Sequence, residues 1–169
     1  MMTSIVDTNV ILIANRQHQD VSPQCIDTCT IALQTLMQKG RIALDDRFQI
    51  LLEYQHKTQP NKGKGAGDIF VKWVLQNNAK PTRCDRVPIA KHPKRGFESF
   101  PDDTELANFD PPDRKFVAVS VAHPLHPPIL QAADSKWLAW APALKRHGVH
   151  VDFLCMPDIV RFHKKKSRK

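Results

Sequence analysis

The sequence lacks several features that would place it in a specialised class of protein. It contains no apolar run of the roughly 20 residues that a membrane-spanning helix needs. Asp7 interrupts the short apolar stretch near the start, so we expect no signal peptide. The four cysteines include no Cys-x-x-Cys pair, which favours free thiols in a reducing cytoplasm over a disulfide framework. With 169 residues, 41% hydrophobic and 25% charged, the chain is predicted to be one soluble globular domain.

The net charge of +8 is unevenly distributed. Residues 57–95 have a net charge of +8 and residues 164–169 a net charge of +5, whereas residues 1–56 and 96–163 have −2 and −3. A basic segment beside an acidic body is typical of proteins that bind a polyanion such as nucleic acid. A solvated loop and a solubilising tail remain the alternative interpretation of the same charges.

Apolar segments with strand and helix periodicity alternate along the chain, which predicts an α/β fold with a mostly parallel sheet. The predicted strands lie near residues 4–7, 41–44, 87, 128–133 and 149–154. The predicted helices lie at 23–39, after Asp45-Asp46, after Asp68, at 113–122 and at 142–147, with a last turn at 157–163. We predict one domain over residues 1–163 and a basic tail at 164–169. Within the domain, residues 57–112 form a basic, proline-rich excursion, with a flexible loop at 57–67 and irregular structure from 81 onwards.

Four acidic residues occupy related positions in this pattern. Asp7 and Asp134 follow predicted strands, Asp113 opens a helix, and Glu53 lies on an otherwise apolar helix face. In an open α/β sheet, ligands bind beyond the carboxyl ends of the strands. Two carboxylates about 4 Å apart repel by roughly 4 kcal/mol at an effective dielectric constant of 20, so a cluster of them favours a divalent cation. Taken singly, each acid has an ordinary role as a strand end, a helix cap, a turn residue or a solvated side chain.

These acids lie in segments that resemble the motifs of a known family. IVDTNV at 5–10, ILLEY at 50–54, PPDRKFVAVS at 111–120 and ILQAADSKW at 129–137 are similar to the four acidic motifs of the PIN-domain ribonucleases. The resemblance covers about residues 4–155 and implies a three-layer α/β/α sandwich around a parallel sheet. It further implies that the metal ligands and catalytic residues are Asp7, Glu53, Asp113 and Asp134. Thr8 or Asn9 would then orient the first carboxylate, and Ser135 the last.

The function that follows is a metal-dependent endoribonuclease with Mg²⁺ or Mn²⁺ as cofactor. Two metal ions about 3.5–4 Å apart can clamp an in-line displacement at phosphorus, which leaves a 5′-phosphate and a 3′-hydroxyl. The predicted contacts to the RNA backbone are Lys57, Lys62, Lys64, Arg114 and the tail, so binding is expected to weaken with salt. The resemblance also makes the chain a candidate toxin of a toxin–antitoxin pair, with a small antitoxin protein as partner and a possible homodimer.

Two alternatives remain open from the sequence. One is a degenerate PIN-like domain that binds RNA or a partner protein without cutting. The other is a haloacid-dehalogenase-like phosphatase, in which Asp7 would be a covalent nucleophile. That class usually has an acid two residues later, where this chain has Asn9.

Overall fold

The computed structural model describes residues 2–168. Seven α-helices and seven strands occur in the described part of the chain. In order they are β1 (Thr3–Val6), α1 (Thr8–Ala14), α2 (Pro23–Lys39), β2 (Arg41–Asp45), α3 (Gln49–Lys57), α4 (Ala66–Asn77), β3 (Cys84–Val87), β4 (Lys91–His92), β5 (Gly96–Phe97), α5 (Arg114–Ala122), β6 (Ile129–Gln131), α6 (Lys136–Arg146), β7 (Val151–Phe153) and α7 (Met156–Ser167). Two 3₁₀ turns, Thr104–Leu106 and Pro111–Asp113, precede α5.

Five of the strands form one sheet in the order β3-β2-β1-β6-β7, and every pair in it is parallel. The sheet runs from β1 towards β3 on one side and towards β7 on the other. The order therefore reverses between β1 and β6, whose registers place Ile5 opposite Ile129 and Val6 opposite Leu130. Ligands in open α/β sheets bind at such a reversal, beyond the carboxyl ends of the strands. Asp7 and the segment after Gln131 lie at this edge.

Helices cover both faces of the sheet. Helices α1, α2 and α4 contact one another, whereas α5 packs across β1, β2 and β6. The right-handed rule for parallel crossovers predicts the helices between β1 and β3 on one face and α5 and α6 on the other. The central strands are buried on both sides, as a parallel sheet requires. The predicted α/β class with a parallel sheet is confirmed, and the arrangement is consistent with a three-layer α/β/α sandwich.

Four helices differ from the sequence predictions. Helix α4 begins at Ala66, so Asp68 lies in its first turn and does not precede it. The first strand ends before Asp7 as predicted, but the apolar residues after it form α1, for which no separate helix was predicted. Helix α6 begins at Lys136 rather than at Pro142, because Trp137 and Leu144 are fully buried on either side of the proline. Burial of these side chains offsets the loss of one helical hydrogen bond at Pro142. Helix α7 continues to Ser167, so most of the predicted tail is helical.

The loop at 57–67, predicted to be flexible, is tied to the fold by Asp68. Its carboxylate accepts hydrogen bonds from the N–H groups of Gln59 (2.9 Å) and Gly65 (3.2 Å) and from the side-chain amide of Asn15 (3.0 Å). Gly67 lets α4 approach α1 closely, since a Cβ there would lie 2.4 Å from the carbonyl oxygen of Ile11. The loop is therefore fastened at both ends to the body of the domain.

The excursion contains more regular structure than its prolines predicted. It supplies the edge strand β3, the antiparallel pair β4–β5 and both 3₁₀ turns. Ten of its side chains enter the hydrophobic core, including four after β4: Phe97, Phe100, Leu106 and Phe109. Arg114 holds the excursion in place by donating to the carbonyls of Phe109, Arg95 and Ala107, with its guanidinium 4.7 Å from the centre of the Phe100 ring. This use of Arg114 gives no support to its predicted contact with RNA.

The cysteines also differ from expectation. Cys25 and Cys155 form a disulfide that joins the first turn of α2 to the residue before α7, whereas Cys29 and Cys84 are buried thiols. The prediction of four free thiols is wrong for Cys25 and Cys155. The predicted cytoplasmic location depended on those thiols and stays a prediction. Within residues 2–168, no helix combines the length and the apolar character that crossing a membrane requires.

Candidate metal centre

Asp7 begins the site at the end of the central strand. Its side chain is 5% exposed, and its carboxylate caps α1 by accepting the N–H of Asn9 at 2.8 Å. The side chain of Asn9 has a different partner, because its Oδ1 accepts the N–H of Ala133 at 2.9 Å. Asn9 therefore orients Asp7 through its backbone, and its amide ties α1 to the segment after β6.

Glu53 reaches the site from α3. The carboxylate of Asp45 caps this helix by accepting the N–H groups of Gln49 and Ile50, each at 2.9 Å. The hydroxyl of the next residue, Tyr54, donates to the carbonyl of Val6, which holds α3 against the end of β1. The cap and this contact together place Glu53 beside the carboxyl edge of the sheet.

Both oxygens of Glu53 have partners. Oε2 accepts the hydroxyl of Thr8, and Oε1 accepts Nζ of Lys115 at 2.9 Å. Thr8 therefore orients Glu53 rather than Asp7, in contrast to the prediction from the resemblance. Lys115 is 8% exposed and also donates to the carbonyl of Pro112. A buried cation thus lies within the acidic site, and no sequence argument had predicted it.

Asp113 and Asp134 meet a third carboxylate that sequence reasoning missed. Oxygen atoms of Asp110, Asp113 and Asp134 all lie within 4.8 Å of one another. Asp110 precedes the 3₁₀ turn Pro111–Asp113 and Asp113 ends it, and such a turn brings residues three apart onto one side. That spacing in FDPPD was the pattern from which Asp110 could have been found. Nζ of Lys136 donates to Asp110 at 2.9 Å.

The carboxylates act on one another electrostatically. Burial raises the pKa of Asp7 well above its ordinary value, and the charges of Asp113, Glu53 and Asp134 raise it further. The hydrogen bond from the N–H of Asn9 lowers this pKa in part. Burial also raises the pKa of Asp113 to about 6, reinforced by Asp134 and Glu53 and opposed by Lys115. The charges of all four predicted acids therefore act on Asp7 or Asp113 at the reversal between β1 and β6. Of the four, only Asp113 and Asp134 belong to the group, completed by Asp110, whose oxygens lie within 4.8 Å of one another; Asp7 and Glu53 lie outside it.

The remaining predicted residues divide into two groups. Ser135 is buried, but the hydrogen bond that Asp134 Oδ1 accepts comes from the N–H of Lys136 at 3.2 Å, so nothing shows Ser135 orienting that carboxylate. The side chains of Lys57, Lys62 and Lys64 are exposed. Lys57 lies one helical turn after Glu53, on the same side of α3.

The donor set fits a hard divalent cation. It consists of carboxylate oxygens, the ligands that Mg²⁺ and Mn²⁺ prefer, and two of the acids have raised pKa values that a cation would lower. Comparison of the chain with family models, curated proteins and solved structures finds no match. The chemistry of this site is therefore inferred from its shape and charge.

Proposed function

We propose that the chain is a Mg²⁺- or Mn²⁺-dependent endoribonuclease of the PIN-like type. The observation that supports the proposal is the convergence of Asp7, Glu53, Asp113 and Asp134, from four separate segments, on one edge of the sheet. In the described structure, Lys115 pairs with Glu53 and Lys136 pairs with the neighbouring Asp110, whereas no lysine or arginine pairs with Asp7, Asp113 or Asp134. The remaining negative charge destabilises the protein unless a cation compensates it, which is expected of a metal site and not of a purely structural cluster.

Asp7, Asp113 and Asp134, together with Asp110, are the residues that would hold the metal. When bound, a divalent cation lowers the pKa of water and offsets the charge that develops on the phosphate. The chain's own residues position these groups. Asn9 fixes Asp7 through its N–H, and the turn at 110–113 holds Asp110 and Asp113 on one side.

Glu53 is assigned the role of general base, which accepts the proton that the attacking water loses. Thr8 and Lys115 each occupy one oxygen of Glu53, but each oxygen keeps a second lone pair that can accept a proton. The water oxygen forms the new bond to phosphorus, and the bond from phosphorus to the 3′-oxygen breaks. The leaving 3′-oxygen takes a proton from solvent, so the products are a 5′-phosphate and a 3′-hydroxyl.

RNA is proposed as the substrate from the resemblance and from the exposed lysines. Lys57, Lys62 and Lys64 lie on α3 and in the loop that follows it, and each contact to a phosphate increases the salt dependence of binding. A toxin role, a small antitoxin partner, a homodimer and a cytoplasmic location stay predictions.

One observation favours a second candidate function. Glu53, a predicted metal ligand, forms an ion pair with Lys115. A lysine in place of a metal ion is expected of a degenerate domain that binds RNA without cutting it. The phosphatase alternative gains nothing, since the residue two positions after Asp7 is Asn9 and its side chain bonds to the backbone of Ala133.

A cleavage assay tests the proposal. A fluorescent single-stranded RNA is incubated with Mn²⁺ or Mg²⁺ and with wild type, Asp7→Asn or Asp113→Asn. We expect cleavage by wild type, loss of at least about 100-fold in each variant, and inhibition by EDTA. Asp27→Asn, which removes an exposed acid on α2, is the matched control and should cleave like wild type. Equal cleavage by all four proteins would contradict the proposal, and RNA binding without cleavage by wild type would establish the degenerate alternative.

A further inference from the structure

An open groove with a volume of about 440 Å³ lies beside the candidate metal centre. Asn9, Asp134 and Ser135 line it on the side of the metal centre. Phe162, Lys165 and Lys166 of α7 also line the groove. We call this the α7 groove. It connects the acidic site to a part of the chain that the sequence predicted to be a loose basic tail.

Helix α7 is firmly attached to the domain. Its Asp158 is buried and accepts both the N–H and the hydroxyl of Ser22, at 2.6 and 2.7 Å. Ile159 is fully buried, and the disulfide between Cys25 and Cys155 joins the start of the helix to α2. The lysines two turns further along are therefore held at a defined position over the groove.

The groove offers both kinds of contact that single-stranded RNA uses. Lys165 and Lys166 are exposed, and in the described structure no carboxylate forms an ion pair with either. The rings of His18 and Phe162 lie 6.2 Å apart between centres, inclined by 32°, and both line the groove. Lysines bind phosphates without regard to sequence, and aromatic faces stack on bases that are not paired in a duplex.

Two acids, Asp20 and Asp134, also line the groove. Asp134 belongs to the candidate metal centre, and Asp20 is two residues after His18 in the chain. A plain anion site would not contain these acids. A groove that begins at a metal centre and contains two lysines fits a nucleic-acid strand better than a single anion. One phosphate of the strand would lie at the metal centre and its neighbours at the lysines.

We propose that the α7 groove binds the single-stranded RNA next to the cleaved phosphodiester. Lys165 and Lys166 contact its phosphates, and a base stacks on His18 or Phe162. This inference depends on the proposed function for the identity of the substrate. It adds that unpaired RNA is preferred over duplex RNA.

Binding is measured in protein that carries Asp113→Asn, so that the RNA stays intact. The probe is a fluorescent single-stranded ten-nucleotide RNA at several salt concentrations, with a duplex of the same sequence as comparison. Lys165→Ala combined with Lys166→Ala should weaken binding at least about 10-fold and reduce the slope of log K against log salt by about 1.4, the value for two phosphates of a single strand. His18→Ala should weaken single-strand binding at least about 5-fold and leave duplex binding unchanged.

The matched control is Lys39→Ala combined with Lys80→Ala. These two lysines are also exposed, but they lie at the opposite edge of the sheet, just before β2 and β3. The proposal is overturned if the control weakens binding as much as the α7 variant, if neither changes the affinity, or if polyglutamate competes as well as RNA. Wild type that binds through the groove but cuts nothing would refute the proposed function alone, whereas cleavage with unchanged binding in the α7 variant would refute the groove alone.

Discussion

Asp113→Asn should stabilise the metal-free protein, even though it removes a proposed functional group. The pKa of Asp113 rises from 3.8 to about 6, and each tenfold change in proton affinity corresponds to about 1.36 kcal/mol. The unscreened free-energy penalty for ionising Asp113 in the folded protein is therefore about 3 kcal/mol. Solvent screening lowers this penalty to about 1–2 kcal/mol, because the side chain is only half-buried. Asparagine has the same shape without the charge, and within residues 2–168 the Asp113 side chain makes no capping hydrogen bond that would be lost.

The raised pKa of Asp113 also determines how the stabilisation by Asp113→Asn changes with pH. A raised acid pKa means that the folded state binds the proton more tightly than the unfolded state, so wild-type stability falls as the pH rises from about 4 to about 6. Above pH 6 the full penalty applies, and at pH 4.5 only about a third of it does. The stabilisation by Asp113→Asn should therefore shrink to about a third between pH 7.5 and pH 4.5.

Urea unfolding in EDTA, followed by circular dichroism at both pH values, measures the difference. Asp27→Asn removes an exposed acid from α2 and serves as the control, with a change within about 0.5 kcal/mol at either pH. The electrostatic reasoning is refuted if Asp113→Asn is less stable than wild type at pH 7.5, or if the difference between the two proteins is the same at both pH values.

Three further predictions concern the metal, the buried lysine and the disulfide. Mn²⁺ at 100 times its dissociation constant should stabilise wild type by about 2.7 kcal/mol in scanning calorimetry, and Asp7→Asn should lose most of that gain; an equal gain in both proteins would contradict the site. Lys115→Met leaves Glu53 without its buried cation and should lower the free energy of unfolding by about 3 kcal/mol in EDTA, so an unchanged urea midpoint would argue against the ion pair. Cys155→Ala opens a link across 130 residues and should destabilise by up to about 5 kcal/mol relative to oxidised wild type, whereas equal midpoints would show that the bond does not form.

The parallel sheet was predictable because its central strands contain short apolar runs, such as Ile5-Val6 and Ile129-Leu130, and these runs alternate with amphipathic helices. The placement of Asp7 and Asp134 followed from the same pattern, since parallel strands end at one edge. Helix α1 was missed because residues 10–13 are all apolar, and such a run has no helical periodicity. Its position in the core, not its propensity, determines its structure.

Contacts between distant segments were beyond the reach of sequence patterns. The disulfide joins residues far apart along the chain, and nothing in the spacing of four cysteines selects Cys25 and Cys155 as partners. The ion pair of Lys115 with Glu53 likewise depends on how α3 and α5 pack. Asp110 was within reach, because a 3₁₀ turn through two prolines brings it to Asp113.

The account rests on the claim that the carboxylates at the reversal of the sheet bind a divalent cation. Crystals soaked in MnCl₂ and measured at a wavelength where manganese scatters anomalously test that claim directly. We predict an anomalous peak from a manganese ion at about 2.0–2.3 Å from oxygens of Asp7, Asp113 and Asp134. This range extends from typical Mg²⁺–oxygen distances to the shortest typical Ca²⁺–oxygen distances. The same map without a peak at these carboxylates, or with peaks only elsewhere on the protein, would contradict it.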